Sequence, residues 1–124
     1  MYRILIAEDE PRIASFMVKG LKRSGFATKV VNSGEAALKI ILAEEFDLLL
    51  LDLGLPGIEG KEVLTELRLQ DFKLPVIVVT ARSLDTKDEV VIGTLASGVI
   101  YKPFLMRVLL SKIQSLLENS EEDS

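Results

Sequence analysis

The 124-residue chain contains no cysteine and no histidine. The first absence removes disulfides, thiolate nucleophiles and cysteine-based zinc sites; the second removes a serine triad with an imidazole base and any phosphohistidine formed within the chain. Long apolar runs are also missing. The longest extend four to six residues before a charge interrupts them, so nothing approaches a membrane span or a signal peptide, and a cytoplasmic location is expected. Nor is there a basic excess. The net charge is −4, and Glu118, Glu121, Glu122 and Asp123 account for it, leaving a body balanced at 15 acidic and 15 basic residues. Without a broad basic footprint, direct nucleic-acid binding by this chain is not expected. Asp, Glu, Lys, Ser and Thr remain to carry chemistry.

At 48% hydrophobic, the chain suffices for one packed domain. "YRILIA" predicts a strand, and "EDE" followed by Pro11 predicts a loop and the first turn of a helix, with Ile13, Phe16, Met17, Gly20 and Leu21 at helical spacing. Ser24 and Gly25 end that helix before a second strand, "ATKVV". Asn32 suits an N-cap, with Glu35 three positions on as in a capping box, and Leu38, Ile41 and Leu42 mark the buried face. "FDLLLLD" is a third strand, and Val63, Leu64 and Leu67 define a third helix. "LPVIVVTA" is a fourth strand, and "DEVVIGTLAS" a fourth helix weakened by Gly93. "GVIY" and a helix from about Phe104 to Leu117 complete five βα units. Residues 1–118 form the domain, and 119–124 read as an acidic tail or the start of a linker. Apolar strands alternating with helices indicate an α/β fold with a parallel sheet covered on both faces, its ligand site at the carboxyl ends of the strands.

That edge collects polar residues. Glu8, Asp9 and Glu10 follow the first strand, Asp52 ends the third, Thr80 the fourth and Lys102 the fifth. Any one of them alone reads as an ordinary turn former or strand residue; their joint placement carries the functional reading. Clustered carboxylates repel, and oxygen-only ligands favour a hard divalent ion such as Mg²⁺, with Mn²⁺ as an alternative. Such an ion attracts a phosphoryl group. Lys102 and Thr80 could then meet further phosphoryl oxygens, leaving Asp52 as the oxygen nucleophile that forms an acyl phosphate.

"ILIAEDE", "LLLLDLGLPGIEG", "VIVVTA" and "KPF", in this order and at these intervals, resemble the receiver domain of two-component response regulators, from Arg3 to about Glu118. The resemblance implies a flavodoxin-like, doubly wound (βα)5 sheet in the order 2-1-3-4-5. It implies Asp52 as phosphoacceptor, Asp9 and the Gly54 backbone carbonyl as further Mg²⁺ ligands, and Glu8 acting through a metal-bound water. Thr80 becomes the switch hydroxyl, Lys102 the phosphoryl contact with a cis Lys102–Pro103 peptide, and Ala81 the small residue that leaves access. The donor would be a sensor histidine kinase or phosphotransfer protein, and an effector domain would follow in a longer parent chain. Gly54 and Arg82 occupy the positions that tune hydrolysis. No chemistry beyond self-phosphorylation and autodephosphorylation is expected. The alternative, a Mg²⁺-dependent aspartyl-phosphate phosphatase, would call for a second Asp where Gly54 stands.

The last third departs from the family pattern. Val99 stands where an aromatic residue usually couples to the threonine, with Tyr101 two positions along the same strand face. The first two thirds most resemble receivers of winged-helix regulators, which dimerise through charged pairs on their last elements. Here Ser97 and Gly98 replace an acidic pair and Asp88 replaces a basic residue, while Lys112 keeps one basic position. Dimerisation through the last helices is therefore left open, and Val91, Val99, Leu105 and Met106 make the region apolar.

Overall fold

A computed structural model describes residues 1–81 and 83–122 of the chain. Five strands alternate with five helices: β1 Arg3–Ala7, α1 Pro11–Arg23, β2 Ala27–Val31, α2 Gly34–Ala43, β3 Leu48–Leu51, α3 Gly60–Leu69, β4 Val76–Thr80, α4 Thr86–Leu95, β5 Gly98–Tyr101 and α5 Met106–Glu122. All pairings are parallel, in the order β2-β1-β3-β4-β5. β1, β3 and β4 are central, and their runs ILIA, LLLL and VIVVT are buried on both sides, as unalternated apolar strands must be.

Alternate residues of these strands supply two cores. Leu5, Leu49, Leu51, Val76 and Val78 pack with Ala37 and Ile41 of α2, Val63, Leu64 and Leu67 of α3 and Ile92 of α4. On the other face Ile4, Ile6, Leu48, Leu50, Ile77 and Val79 pack with Met17 and Leu21 of α1 and Leu109, Ile113 and Leu117 of α5. Full burial of each such side chain contributes roughly 1.5–3 kcal/mol. Two residues placed on buried faces by spacing alone are exposed: Leu42 at 61% and Phe16 at 46%. Ala37 and Ile41 already fill the α2 stripe, and the Phe16 ring meets Phe104 instead, with centroids 5.8 Å apart.

Local details depart from the sequence reading in three further places. Ser33, not Asn32, caps α2, its hydroxyl accepting the Ala36 N–H at 3.1 Å. Glu10 is spent as the N-cap of α1, accepting from Arg12 N–H at 3.2 Å, and is withdrawn from the acidic cluster. The last helix continues beyond Leu117 to Glu122, so residues 119–122 of the acidic stretch are helical; a helix nucleated by its buried stripe propagates through polar residues at little cost. Residues 123–124 of that stretch lie outside the described part. Among the described residues no helix is long and apolar enough to cross a membrane.

Candidate functional site

The site forms where β1, β3, β4 and β5 end, and backbone ladders carry Glu8, Asp52 and Lys102 one step past β1, β3 and β5. Glu8 N–H donates to Val31 O at 3.0 Å, Asp52 N–H to Ala7 O at 3.0 Å, and Lys102 N–H to Thr80 O at 2.9 Å. Each functional side chain thus leaves a rigid strand edge rather than a loose loop. Glu8, Asp52 and Thr80 are the buried polar residues of the described chain, at 2%, 9% and 1% exposure, while Asp9 is exposed at the mouth. Glu8, Asp9 and Asp52 each bring a carboxylate oxygen within 4.8 Å of the others.

Lys102 spans the cluster. Its Nζ donates to Glu8 Oε1 at 2.5 Å and to Asp52 Oδ2 at 3.3 Å, while Gly54 N–H donates to Asp52 Oδ1 at 2.9 Å and Glu10 N–H to Glu8 Oε2 at 3.1 Å. Burial raises the Glu8 pKa, and the nearby Asp52 charge adds to the rise, together outweighing the hydrogen bonds from Lys102 and Glu10. For Lys102, burial pulls the pKa down, but the hydrogen bond to Glu8 and the charges of Asp52 and Glu8 overcome it, and the ammonium is held above its ordinary value. Three acids against one ammonium leave excess negative charge at an edge partly closed to water. A cation would relieve it, and carboxylate oxygens are the donors a hard divalent ion takes.

The remaining expected residues fall around this centre. Thr80 is buried at the end of β4, Ala81 next to it is exposed, and Lys102–Pro103 is cis. Arg82 lies outside the described residues. Beside the site a groove of about 350 Å³ is lined by Ile13, Phe16, Ala81, Lys102, Pro103 and Phe104. Val99 is half-buried and in register with Val78, whereas Tyr101 is half-exposed and in register with Thr80. Asp88 and Ser97, expected at positions of dimer charges, have partners within the chain. Asp88 Oδ1 receives Lys61 Nζ at 2.8 Å, and Ser97 Oγ accepts Val76 N–H at 3.1 Å. Arg68, also on α3, donates to Leu95 O at the far end of α4 at 2.9 Å, so α3 holds α4 at both ends. No sequence signal announced these ties, because each joins residues more than twenty positions apart.

Comparison with known proteins agrees with this geometry. The family described as response regulator receiver domain matches residues 4–114. Response regulator ArlR of Staphylococcus saprophyticus is 36% identical over 123 residues, covering 98% of this chain and 55% of the relative; the chain spans about half the length of the curated relatives it matches. Among solved structures, a CheY-like receiver domain protein from Methanospirillum hungatei superposes with a TM-score of 0.94 at 29% identity, covering 100% of this chain and 99% of the other. Response regulator TrrA from Thermotoga maritima, in complex with Mg²⁺-BeF, gives a TM-score of 0.86 at 33% identity, covering 94% and 99%. Strand order, acidic cluster, lysine bridge and these matches converge: the chain belongs to the response regulator receiver domain family.

Proposed function

We propose that Asp52 is the phosphoacceptor of this receiver and that the donor is a phosphohistidine on a sensor kinase or phosphotransfer protein. One Asp52 carboxylate oxygen attacks phosphorus in line; the O–P bond forms as the P–N bond to the donor imidazole breaks, and the imidazole keeps the electron pair. Asp9, Asp52 and the Gly54 carbonyl would hold the divalent cation, with Glu8 acting through a water. A bound Mg²⁺ supplies charge neutralisation and orientation of the phosphoryl oxygens. Lys102, already aimed at Asp52, would move from the acids to the transferred group, and Thr80 would offer it a hydroxyl across the small Ala81. The acyl phosphate adds nearly two negative charges, and the redistribution of Lys102 and Thr80 would alter the α4–β5–α5 side of the sheet. Hydrolysis restores the Asp52 carboxylate and releases phosphate. A cytoplasmic setting and an effector domain in a longer parent chain accompany this reading.

The observation that carries it is the gathering of Glu8, Asp9 and Asp52 within 4.8 Å at one sheet edge, bridged by Lys102. The phosphatase alternative has no support: Gly54 stands where its second Asp would be, and the family matched is the receiver domain. Beryllofluoride with Mg²⁺ tests the proposal. It should raise the melting temperature of the wild type and leave Asp52→Ala unchanged; an equal response in both would place the acceptor elsewhere.

A further inference from the structure

The capping box expected at the start of α2 does not form. Ser33 caps the helix, and the Glu35 side chain turns outward to the loop between β3 and α3, residues 52–59, where its Oε1 accepts the Ile58 N–H at 2.9 Å. Gly34 N–H meets the same loop at Pro56 O, at 3.4 Å. Both sides of this contact are stripped of side chains. A Cβ on Gly34 would collide with the Ile58 carbonyl oxygen, and one on Gly57, whose φ is +80°, would collide with the Glu35 carboxylate.

The other limb of the loop starts at Asp52 and carries Gly54, whose N–H is held by Asp52 Oδ1 at 2.9 Å. Burial of Leu53 and Leu55 sets the depth of the loop, but apolar burial is non-directional and leaves the orientation of its peptide planes to hydrogen bonds. We propose that Glu35 is a positioning residue: by holding Ile58 N–H it sets the path of the loop and hence the direction in which the Gly54 carbonyl faces the cation. The cation half of this inference rests on the receiver reading above; the loop half rests on the hydrogen bonds alone. Partners immediately behind a metal ligand typically change affinity about 10- to 100-fold. Glu35 is exposed and acts through several peptide units, so loss of its bond should weaken Mg²⁺ about three- to fivefold.

Amide NMR spectra of wild type, Glu35→Ala and Glu35→Gln, each metal-free and titrated with MgCl₂, test this directly. Glu35→Ala should shift the Ile58 and Gly54 amides without metal and weaken Mg²⁺ binding by the stated factor, with amides remote from the start of α2 and the 52–59 loop unchanged. Glu35→Gln keeps the accepting oxygen and should restore both. An unmoved Gly54 amide together with wild-type Mg²⁺ affinity in Glu35→Ala would overturn the proposal. So would a Glu35→Gln variant as weak as Glu35→Ala, since charge rather than position would then be responsible. Absence of saturable Mg²⁺ binding in the wild type would instead sink the receiver-site reading, and the metal-free Gly54 amide would decide the positioning role by itself.

Discussion

Replacing Asp9 by asparagine should stabilise the metal-free protein and remove most of its response to Mg²⁺. Asp9 lies with Glu8 and Asp52 in a cluster whose ligand oxygens are within 4.8 Å of one another, and it is the exposed member. Two like charges at that separation repel by about 0.9 kcal/mol in water and by about 3.5 kcal/mol at an effective dielectric of about 20. Exposure puts Asp9 near the lower figure for each of its two neighbours, and solvent screening reduces the sum further. Neutralisation should therefore raise the unfolding free energy by about 1 kcal/mol, or about 4 °C in melting temperature for a domain of this size. Mg²⁺ at ten times its dissociation constant should add about 1.4 kcal/mol to the wild type and less than about 0.5 kcal/mol to Asp9→Asn at the same concentration. Thermal unfolding followed by circular dichroism, in EDTA and in MgCl₂, reads all four values. The order of the two proteins should reverse or close up on adding metal. An Asp9→Asn variant that melts below wild type in EDTA, or that keeps the full Mg²⁺ increment, would refute the picture of a repulsive cluster relieved by a cation.

Lys102→Met removes the ammonium that bridges Glu8 and Asp52 and should lower metal-free stability by about 2 kcal/mol, less than for a fully enclosed pair because Lys102 keeps 13% exposure. Urea unfolding measures this, and an unchanged midpoint would mean that water already screens the acids. Away from the site, hydrogen bonds from Arg3 and Lys29 hold the Glu44 carboxyl below its ordinary value of 4.5. A depressed acid contributes stability that is present above pH 4.5 and lost as the pH falls through the lower folded value. Glu44→Gln should accordingly flatten the fall in stability below pH 4.5, and melting curves in which wild type and variant run parallel through that range would refute the assignment.

Much of the molecule was legible along the chain because its signals are local. Unalternated apolar runs at 4–7, 48–51 and 76–79 announce strands buried on both faces, and helical spacing after each loop announces the crossovers. Once the strands are parallel, Glu8, Asp9, Asp52, Thr80 and Lys102 must share one edge of the sheet, since each follows or closes a strand. That much requires no coordinates. Choices between near-equivalent neighbours were not legible: Asn32 and Ser33 are both good caps, and the docking of α2 on the loop at Pro56 and Ile58 selects Ser33. Leu42 and Phe16 fit an apolar stripe by spacing, but the width of the helix face that meets the sheet left them outside.

By itself, then, the sequence determined the fold class, the strand boundaries to within a residue or two and the set of side chains at the functional edge, because period and punctuation are properties of neighbours. Only the tertiary structure decided what those side chains do to one another. Lys102 meets Glu8 across 94 residues and Asp52 across 50, Glu35 reaches Ile58 across 23, and Lys61 reaches Asp88 across 27. Such pairings depend on strand order and on the angle at which each helix lies over the sheet, and a one-residue change of strand register would turn Glu8, Asp52 and Lys102, which directly follow strands, to the opposite face.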